Sequence, residues 1–334
     1  MQRWGGCVRG EGLLGGGGRG GLCGGWRHGL KPTVLRHACG EGRLRAGSLE
    51  VVSAPIVAVI GGGQLARMMQ EEASALGIHL RALVEAADGS TGQVTPDALV
   101  GAADDEAAVR AVVAGDGTQG SGGEPAAVVT FEHEHQDASL LERLQAEGVS
   151  VQPAPQALEL ARDKLAMRRA MSQAGLPQPA WAEVGGPGQE TAEQMADAVE
   201  AFAVEHGWPV VLKTPRGGYD GHGVLLVRSV ESLHEGEAAE WLASVGRGRA
   251  GQGGAVVTSL LVEQAIPFTR ELAVLLARRP SGQIAVWPVA QTVQEDGMCA
   301  EVLAPAPGLD SIAVEEAELI GRTVAERTGV TGVL

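Results

Sequence analysis

The chain has 334 residues, of which 44% are apolar, and a formal net charge of -15. This length predicts about two domains, and the acidic balance argues against a nucleic-acid-binding surface. No run of 18 uninterrupted apolar residues occurs, so the sequence predicts no membrane span. Only one of the four cysteines, Cys299, follows residue 54. This argues against a fold built on disulfides and fits a reducing compartment.

Residues 1–54 differ in composition from the rest of the chain. They carry eight Arg and Lys against three Glu, are rich in glycine and show no sustained apolar period. Such a segment cannot bury enough apolar surface to order itself, so we predict a disordered leader. Its basic, acid-poor character is typical of a transit peptide, which predicts a chloroplast location. The alternative is a mis-set start codon, which predicts a cytoplasmic location.

The first predicted unit is strand, glycine turn, helix and strand. Ile56–Ile60 is an apolar run rich in β-branched residues, Gly61–Gly63 forms the turn, and Gln64–Leu76 has apolar residues at helical spacing. A second strand at His79–Val84 completes a βαβ unit. The sequence therefore predicts an α/β fold that begins with a Rossmann-like domain, which we place at residues 55–153.

The glycine turn also fits the dinucleotide-binding pattern G-x-G-x-x-A. Gly61, Gly63 and Ala66 occupy the pattern, and an acidic residue, Glu85, follows about twenty residues later. This pattern makes a nicotinamide-dependent oxidoreductase an alternative function. No hydride-transfer site follows it in the sequence.

An acidic and histidine-rich segment follows the next predicted strand. After a helix at about Asp104–Ala114 and a strand at Ala126–Thr130, the sequence reads F-E-H-E-H at 131–135. In open α/β sheets ligands bind at the carboxyl ends of the strands, so Glu132 and Glu134 are candidate ligand-binding residues. A metal site is an alternative, but alternation on a strand sends each residue type to its own face and leaves two ligands per face at most.

The remaining predicted elements form a second domain, at residues 154–334. Its antiparallel strands with short connections predict an α+β lobe. Beyond a strand at Val149–Val151, we predict helices at Gln156–Ala174, Glu190–His206, Glu231–Ala243 and Val314–Thr328, and strands at Ala255–Glu263, Arg270–Leu276 and Ile284–Val289.

A glycine-rich loop between two apolar strands carries the most informative chemistry. The stretch from Val210 to Val224 reads V-V-L-K-T-P-R-G-G-Y-D-G-H-G-V. Glycines let a backbone approach a polyanion, and Lys213 at the end of the first strand supplies a positive charge to the same oxygens. The lone tyrosine of the chain, Tyr219, lies in this loop beside Asp220. The alternative to an anion-binding loop is a plain hairpin with a long glycine turn.

Six motifs resemble, in order and approximate spacing, those of the 5-(carboxyamino)imidazole ribonucleotide synthetase family. They are G-G-G-Q-L-A-R-M-M, T-F-E-H-E, A-R-D-K-L, V-L-K-T-P-R-G-G-Y-D-G-H-G, V-E-Q-A-I-P-F-T-R-E-L-A-V and W-P-V-A-Q-T-V-Q-E-D-G. The similarity covers residues 56–334. These are ATP-grasp enzymes of purine biosynthesis, fused in plants and fungi to a carboxyaminoimidazole ribonucleotide mutase in the lyase called phosphoribosylaminoimidazole carboxylase.

The resemblance implies a pre-ATP-grasp domain followed by an ATP-grasp domain, incomplete at its C-terminal end, with ATP between two lobes. It implies that bicarbonate is phosphorylated to carboxyphosphate, which carboxylates aminoimidazole ribonucleotide. For ATP it implies contacts with Lys164, Lys213, Gly218, Tyr219, Asp220, Gly221, His222, Gly223, Val224, Glu263, Gln264, Ala265, Ile266, Glu271 and Gln294. For the ribonucleotide it implies Gly63, Gln64, Glu132 and Glu134, with Tyr219, Asp220 and His222 in catalytic positions.

The sequence departs from the family pattern in three places. His222 stands where the family usually has arginine or lysine, which weakens anion binding at neutral pH, and Gln294 replaces a family histidine. The family's Mg²⁺ ligands lie beyond a segment like the one ending at Leu334, so we expect no metal ligands within this chain. We therefore expect a piece of a longer gene product that is poorly active alone, and a non-catalytic nucleotide-binding remnant is a further alternative. The resemblance also implies a homodimer.

Overall fold

A computed structural model describes residues 54–117, 123–217, 223–246, 257–295 and 297–334. Residues 1–53 of the predicted leader and the loop residues 218–222 lie outside this described part of the chain. The described residues belong to one compact unit. None of their helices is long and apolar enough to cross a membrane.

The first sheet is parallel and has four strands. Its strands are β1 (Ile56–Ile60), β2 (His79–Val84), β3 (Ala98–Val100) and β4 (Val128–Phe131), in the order β3-β2-β1-β4. Three helices accompany it: α1 (Gln64–Leu76), α2 (Glu106–Ala114) and α3 (Ala138–Ala146). The chain leaves β1 toward β2 and later returns to place β4 on the other side. The carboxyl ends of β1 and β4 therefore flank the point where the strand order reverses, which is the usual ligand position in such sheets.

This sheet is covered on both faces, as parallel sheets are. One face, including Ala58 and Ile60, packs against apolar residues of α2 and α3 such as Val112 and Leu144. The other face, including Val59, packs against α1. The continuous apolar sequence of β1 follows from this two-sided burial.

The second sheet is antiparallel and belongs to the other domain. Its strands are β5 (Trp181–Val184), β6 (Val210–Lys213), β7 (Val224–Val227) and β8 (Leu260–Gln264), in the order β5-β8-β6-β7. The preceding helices are α4 (Pro155–Arg162) and α5 (Lys164–Gln173), and the interspersed ones are α6 (Ala192–His206), α7 (Val230–His234) and α8 (Gly236–Ser244). One face of the sheet packs on α6 and α8 through residues such as Val199, Leu212 and Leu242.

Two small antiparallel sheets follow. The strands are β9 (Glu271–Ala273), β10 (Leu276–Arg278), β11 (Ile284–Val286), β12 (Ala290–Glu295), β13 (Met298–Leu303) and β14 (Gly332–Val333), ordered β13-β12-β9 and β11-β10-β14. Helix α9 (Ser311–Thr328) precedes β14. The predicted fold class, a Rossmann-like domain followed by an α+β lobe, is confirmed.

Several predicted boundaries are wrong. The single helix predicted at 156–174 is two helices, because Asp163 has an extended backbone and caps α5 by accepting hydrogen bonds from Leu165 and Ala166. The helix predicted at 231–243 also breaks, at Glu235, which is extended. The strand predicted at 270–276 divides into β9 and β10, which belong to different sheets.

Other elements are shorter than predicted or were not predicted at all. The predicted strand at 149–151 is reduced to one bridge between Val129 and Val151. A strand was predicted at 255–263, but the observed strand β8 begins only at Leu260. The sequence analysis did not identify β3, β5, β12, β13 or α3. Strands as short as β3 contain too few residues to show a period.

Candidate functional site

A buried carboxylate shared by two cations lies at the edge of the second sheet. Glu263 is 3% exposed, and its Oε1 accepts a hydrogen bond of 2.6 Å from Arg168 Nε. Its Oε2 lies 2.5 Å from Lys213 Nζ. A third cation, Lys164, is close enough for the charges of Lys213 and Glu263 to act on it. We call Lys164, Arg168, Lys213 and Glu263 the cation cluster.

Strand register and one helix turn place these side chains together. Val211 of β6 pairs with Glu263 of β8, so Lys213, two residues further along β6, projects from the same face. Asp163 starts α5, Lys164 is its first residue, and Arg168 follows four residues later on the same helix face. Helix α5 thereby brings two cations to the face where β6 and β8 supply one cation and one carboxylate.

The electrostatics of the cluster favour binding of an anion. Burial acts to raise the pKa of Glu263, but hydrogen bonds from Arg168 and Lys213 outweigh it and hold that pKa below its usual value. Burial, and next the charge of Lys213, lower the pKa of Lys164. Within the described residues Lys164 makes no ion pair. The three cations outnumber the two nearby carboxylates, Glu263 and Asp163, which leaves positive charge in an otherwise acidic chain, as a polyphosphate site requires.

The residues that lead into the glycine loop are attached to the start of α5. The backbone N–H of Lys164 donates to the carbonyl oxygen of Pro215 at 2.9 Å. Arg216 pairs with Asp163, with Nε to Oδ2 at 2.9 Å, and also with Glu159. The start of the loop is therefore tied to the helix that carries Lys164. Candidate residues Gly218, Tyr219, Asp220, Gly221 and His222 lie outside the described residues. Gly223 and Val224 are described, and Val224 begins β7.

The glycine turn after β1 is occupied by a carboxylate of the protein itself. Glu132 Oε2 accepts from the Gly63 N–H at 2.5 Å and Oε1 accepts from the Leu65 N–H at 3.1 Å. A Cβ added at Gly63 would overlap this carboxylate. The backbone N–H groups that would bind a dinucleotide pyrophosphate at this helix start are thus already used. This geometry disfavours the nicotinamide alternative.

Two of the predicted substrate residues line a cavity at the carboxyl edge of the parallel sheet. The cavity has a volume of ≈ 700 Å³, and its walls include Glu132 and Glu134 together with apolar side chains of both domains such as Met69 and Met167. Gly63 and Gln64 lie at the adjacent turn, where Gln64 is exposed. The structure therefore brings Glu132, Glu134 and the turn together.

The remaining predicted nucleotide residues lie at the end of β8, just after it, and on strands β9 and β12. Gln264, Ala265 and Ile266 follow Glu263 directly and become progressively more exposed, from half-buried Gln264 to Ile266 at 45%. Glu271 opens β9 opposite Thr292 of β12. Gln294 is exposed and follows a register shift between β12 and β13. Among the described residues, no hydrogen bond or ion pair joins Glu271 or Gln294 to the cation cluster.

The alternative of a metal site at 131–135 finds no support in the described residues. His133 and His135 contact each other, with ring centroids 5.9 Å apart, and Glu134 lies 3.5 Å from His135 Nε2. No group of three or more His, Cys, Asp or Glu side chains in the described part of the chain is arranged to hold a metal ion. These residues do not supply a Mg²⁺ site either.

Sequence reasoning did not identify Arg168 or Arg216 as parts of the site. Arg216 lies in the glycine-rich loop. Arg168 lies in a predicted helix, where an exposed face is the default position for a charged side chain. The only signal for Arg168 was its spacing of four residues from Lys164. Its carboxylate partner is 95 residues distant in the sequence.

Comparison with known proteins agrees with this geometry. Residues 55–162 match the ribonucleotide synthetase preATP-grasp domain, and residues 169–334 match the ATP-grasp domain. A solved N5-carboxyaminoimidazole ribonucleotide synthetase in complex with ADP has a TM-score of 0.68 and 26% identity, covering 84% of this chain and 65% of that one. The Aspergillus clavatus synthase, solved with ADP and 5-aminoimidazole ribonucleotide, has the same TM-score, identity and coverage.

Curated relatives in bacteria are also named N5-carboxyaminoimidazole ribonucleotide synthase. N5-carboxyaminoimidazole ribonucleotide synthase of Mycobacterium tuberculosis (strain ATCC 25618 / H37Rv) is 44% identical over 281 residues, which are 84% of this chain and 58% of the relative. The Synechococcus elongatus enzyme is 37% identical over 279 residues. The chain spans 58% to 61% of the length of these relatives. The motif resemblance is confirmed, and the chain belongs to the N5-carboxyaminoimidazole ribonucleotide synthase family of ATP-grasp proteins.

Proposed function

We propose that the chain carries out the ATP-dependent carboxylation of 5-aminoimidazole ribonucleotide with bicarbonate, a carbon–nitrogen ligase reaction of purine biosynthesis. The observation that carries this proposal is the cation cluster, in which Lys164, Arg168 and Lys213 surround Glu263 beside the glycine loop. Such a local concentration of positive charge, in a chain of net charge -15, is suited to bind a polyanion. The relatives solved with ATP, ADP and 5-aminoimidazole ribonucleotide support the same assignment.

In the proposed complex the lysines hold the phosphates and the loop lies over them. Lys164 and Lys213 balance phosphate charge, and residues 218–224 supply backbone N–H groups. The segment 264–266 borders the adenine, together with Glu263, and Glu271 accepts hydrogen bonds from the ribose hydroxyls. Gln294 stands near the nucleotide in this proposal.

The proposed chemistry has two steps. A bicarbonate oxygen attacks the γ-phosphorus of ATP and ADP leaves, which gives carboxyphosphate. The exocyclic amine of 5-aminoimidazole ribonucleotide then forms a bond to the carboxyl carbon, phosphate leaves, and the amine loses a proton. The protein contributes positioning and charge stabilisation, as in other phosphoryl transfers. Tyr219, Asp220 and His222 face the second reactant in this proposal.

The ribonucleotide is proposed to bind where the glycine turn meets the ≈ 700 Å³ cavity. Glu132 already accepts two backbone hydrogen bonds there, and Glu134 lies on the same wall. Carboxylates accept hydrogen bonds from sugar hydroxyls, so Glu132 and Glu134 suit a ribose, while Gly63 and Gln64 border it. Mg²⁺ is expected with ATP in this family. Since the described residues offer it no ligand group, none of these steps is assigned to it.

Three further proposals concern the setting of the enzyme. We propose a homodimer and a functional link to a carboxyaminoimidazole ribonucleotide mutase, which would add the decarboxylase-type activity of the fused family members. We also propose that residues 1–54 direct the chain to the chloroplast, because they combine eight basic with three acidic residues. A fluorescent protein fused to residues 1–54 that stayed in the cytoplasm of a plant or algal cell would overturn the targeting proposal.

An isotope experiment tests the reaction. The chain is incubated at high concentration with ATP, ¹⁸O-labelled bicarbonate and 5-aminoimidazole ribonucleotide under single-turnover conditions, so that slow activity is measurable. The proposal predicts ¹⁸O in the released phosphate, because a bicarbonate oxygen becomes the bridge to phosphorus. Unlabelled phosphate indicates simple ATP hydrolysis, and ATP binding without phosphate release indicates a non-catalytic remnant. Either result would contradict the proposed reaction.

A further inference from the structure

We infer that Arg168 is a positioning residue that acts through Glu263 to free Lys213 for the nucleotide phosphates. This inference rests on the proposed function, because it requires that a polyphosphate binds Lys213. Arg168 is not among the residues that the family motifs implied. The geometry of the cation cluster alone points to it.

The first step of the argument is that Glu263 needs a cation at all times. The residue is 3% exposed, and an ionised carboxylate at such a position is costly unless it is paired. Each of its oxygens has its own partner, Arg168 at 2.6 Å and Lys213 at 2.5 Å. Losing both partners would leave a buried, uncompensated charge.

The second step is that Lys213 is paired with Glu263. A phosphate that takes the Lys213 ammonium must compete with Glu263 Oε2, which lies 2.5 Å away. Lysine carries a compact charge on a flexible chain, so the ammonium can move between two acceptors. The ammonium is also the more accessible of the two partners, because the Lys213 side chain is 24% exposed against 15% for Arg168.

The third step is that Arg168 stays behind when Lys213 moves. Its guanidinium is held on α5, a different element from the strand of Lys213, and its Nε donates to the other carboxylate oxygen. A planar, permanently charged guanidinium is suited to hold a carboxylate in a fixed orientation. Arg168 therefore lowers the cost of transferring Lys213 from Glu263 to a phosphate.

The test is a double-mutant cycle on nucleotide binding, measured by titration calorimetry with the non-hydrolysable analogue AMP-PNP. In Arg168→Gln, binding must remove the last cation that is hydrogen-bonded to Glu263, so the affinity falls about tenfold or more. In a Glu263→Gln background the same substitution changes the affinity by less than about twofold, because no carboxylate remains to be stranded. Arg168→Lys, which keeps the charge, restores most of the affinity.

Two controls separate this role from a general structural one. Adenosine lacks phosphates and does not draw Lys213 away from Glu263, so Arg168→Gln should weaken adenosine binding much less than AMP-PNP binding. Arg169→Gln removes the neighbouring charge, which pairs with Glu183 on a more exposed surface, and should leave AMP-PNP binding unchanged.

The outcomes distinguish this inference from the proposed function. If the wild type binds no AMP-PNP, the proposed function is overturned and the inference falls with it. If the wild type binds AMP-PNP and Arg168→Gln binds it equally well, the inference alone is wrong. It is also wrong if Arg168→Gln weakens binding equally in both backgrounds, since Arg168 would then contact the nucleotide directly, or if adenosine binding falls in parallel.

Discussion

Replacing the shared carboxylate should destabilise the protein markedly. Glu263→Gln keeps the shape of the side chain but leaves Arg168 and Lys213 without their common counterion, beside a third cation, Lys164. Breaking a buried ion pair by removing one partner costs roughly 3–5 kcal/mol. Since the Lys213 side chain is 24% exposed and can turn to water, we expect the lower end, about 3 kcal/mol. Urea unfolding at pH 7 measures the change, and a loss below about 1 kcal/mol would refute the account.

The difference in unfolding free energy between the wild type and Glu263→Gln should depend on pH, because the pKa of Glu263 is lowered in the folded protein. Its pKa in the folded protein lies below the ordinary value of 4.5. The carboxylate therefore contributes stability that is present above pH 4.5 and is lost as the pH falls through the folded pKa. The difference in unfolding free energy between the wild type and Glu263→Gln should therefore narrow as the pH falls from 4.5 through the folded pKa of Glu263. A gap that remains constant as the wild type is acidified would contradict the assignment.

A surface ion pair provides the matched control. Glu183→Gln removes the same charge from the same sheet, but Glu183 pairs with Arg169 where both side chains are well exposed, at 39% and 52%. Exposed pairs contribute about 0–1 kcal/mol. A loss as large as that of Glu263→Gln would show that burial does not explain the effect.

Three other substitutions test the supporting geometry. Lys164→Met should raise the melting temperature by a few degrees at pH 7, because burial lowers the pKa of Lys164 and makes its charged form costly, and it should also weaken ATP binding. The gain in melting temperature should shrink as the pH rises through the folded pKa of Lys164 toward 10.5. An unchanged or lower melting temperature at pH 7 would contradict this prediction. Gly63→Ala should cost about 1–2 kcal/mol in urea unfolding, because a Cβ there displaces the Glu132 carboxylate from two backbone N–H groups. Asp163→Ala should cost about 1–2 kcal/mol through the lost helix cap, whereas Asp163→Asn should cost less, since asparagine caps equally well and the partner in the lost ion pair, Arg216, is 46% exposed.

Matched variants serve as controls for the last two substitutions. A Cβ added at Gly186 would meet no atom within 4 Å beyond its chain neighbours, and the backbone there is not left-handed, so Gly186→Ala should be nearly neutral. Equal losses for Gly63→Ala and Gly186→Ala would show that contact with Glu132 is not the cause. Equal losses for the alanine and asparagine variants of Asp163 would show that its cap is not the important contact.

The fold was predictable where local signals agree with tertiary packing. The run Ile56–Ile60, the three glycines and the helix Gln64–Leu76 were predicted with the observed bounds, because burial on both faces, a tight turn and a left-handed Gly77 end these elements where the sequence indicates. The break at Asp163 was missed because the apolar period continues through it. A capping aspartate within a continuous period has no distinct local signature.

The site was predictable only in part for a similar reason. Lys164, Lys213 and Glu263 were identified through motifs, and the structure brings these three together. Arg168 was missed because its role depends on a carboxylate 95 residues away, which only the pairing of β6 with β8 and the position of α5 reveal. The roles proposed for Glu271 and Gln294 remain predictions, since their contacts with a nucleotide depend on the nucleotide itself.

Parallel calorimetric titrations of the chain with ATP and with NAD⁺ test the central claim most directly. The account predicts that ATP binds, that Lys213→Met weakens this binding about tenfold or more through loss of a charge-assisted hydrogen bond, and that NAD⁺ does not bind because Glu132 occupies the glycine turn. Binding of NAD⁺, or binding of ATP that is unaffected by Lys213→Met, would contradict it.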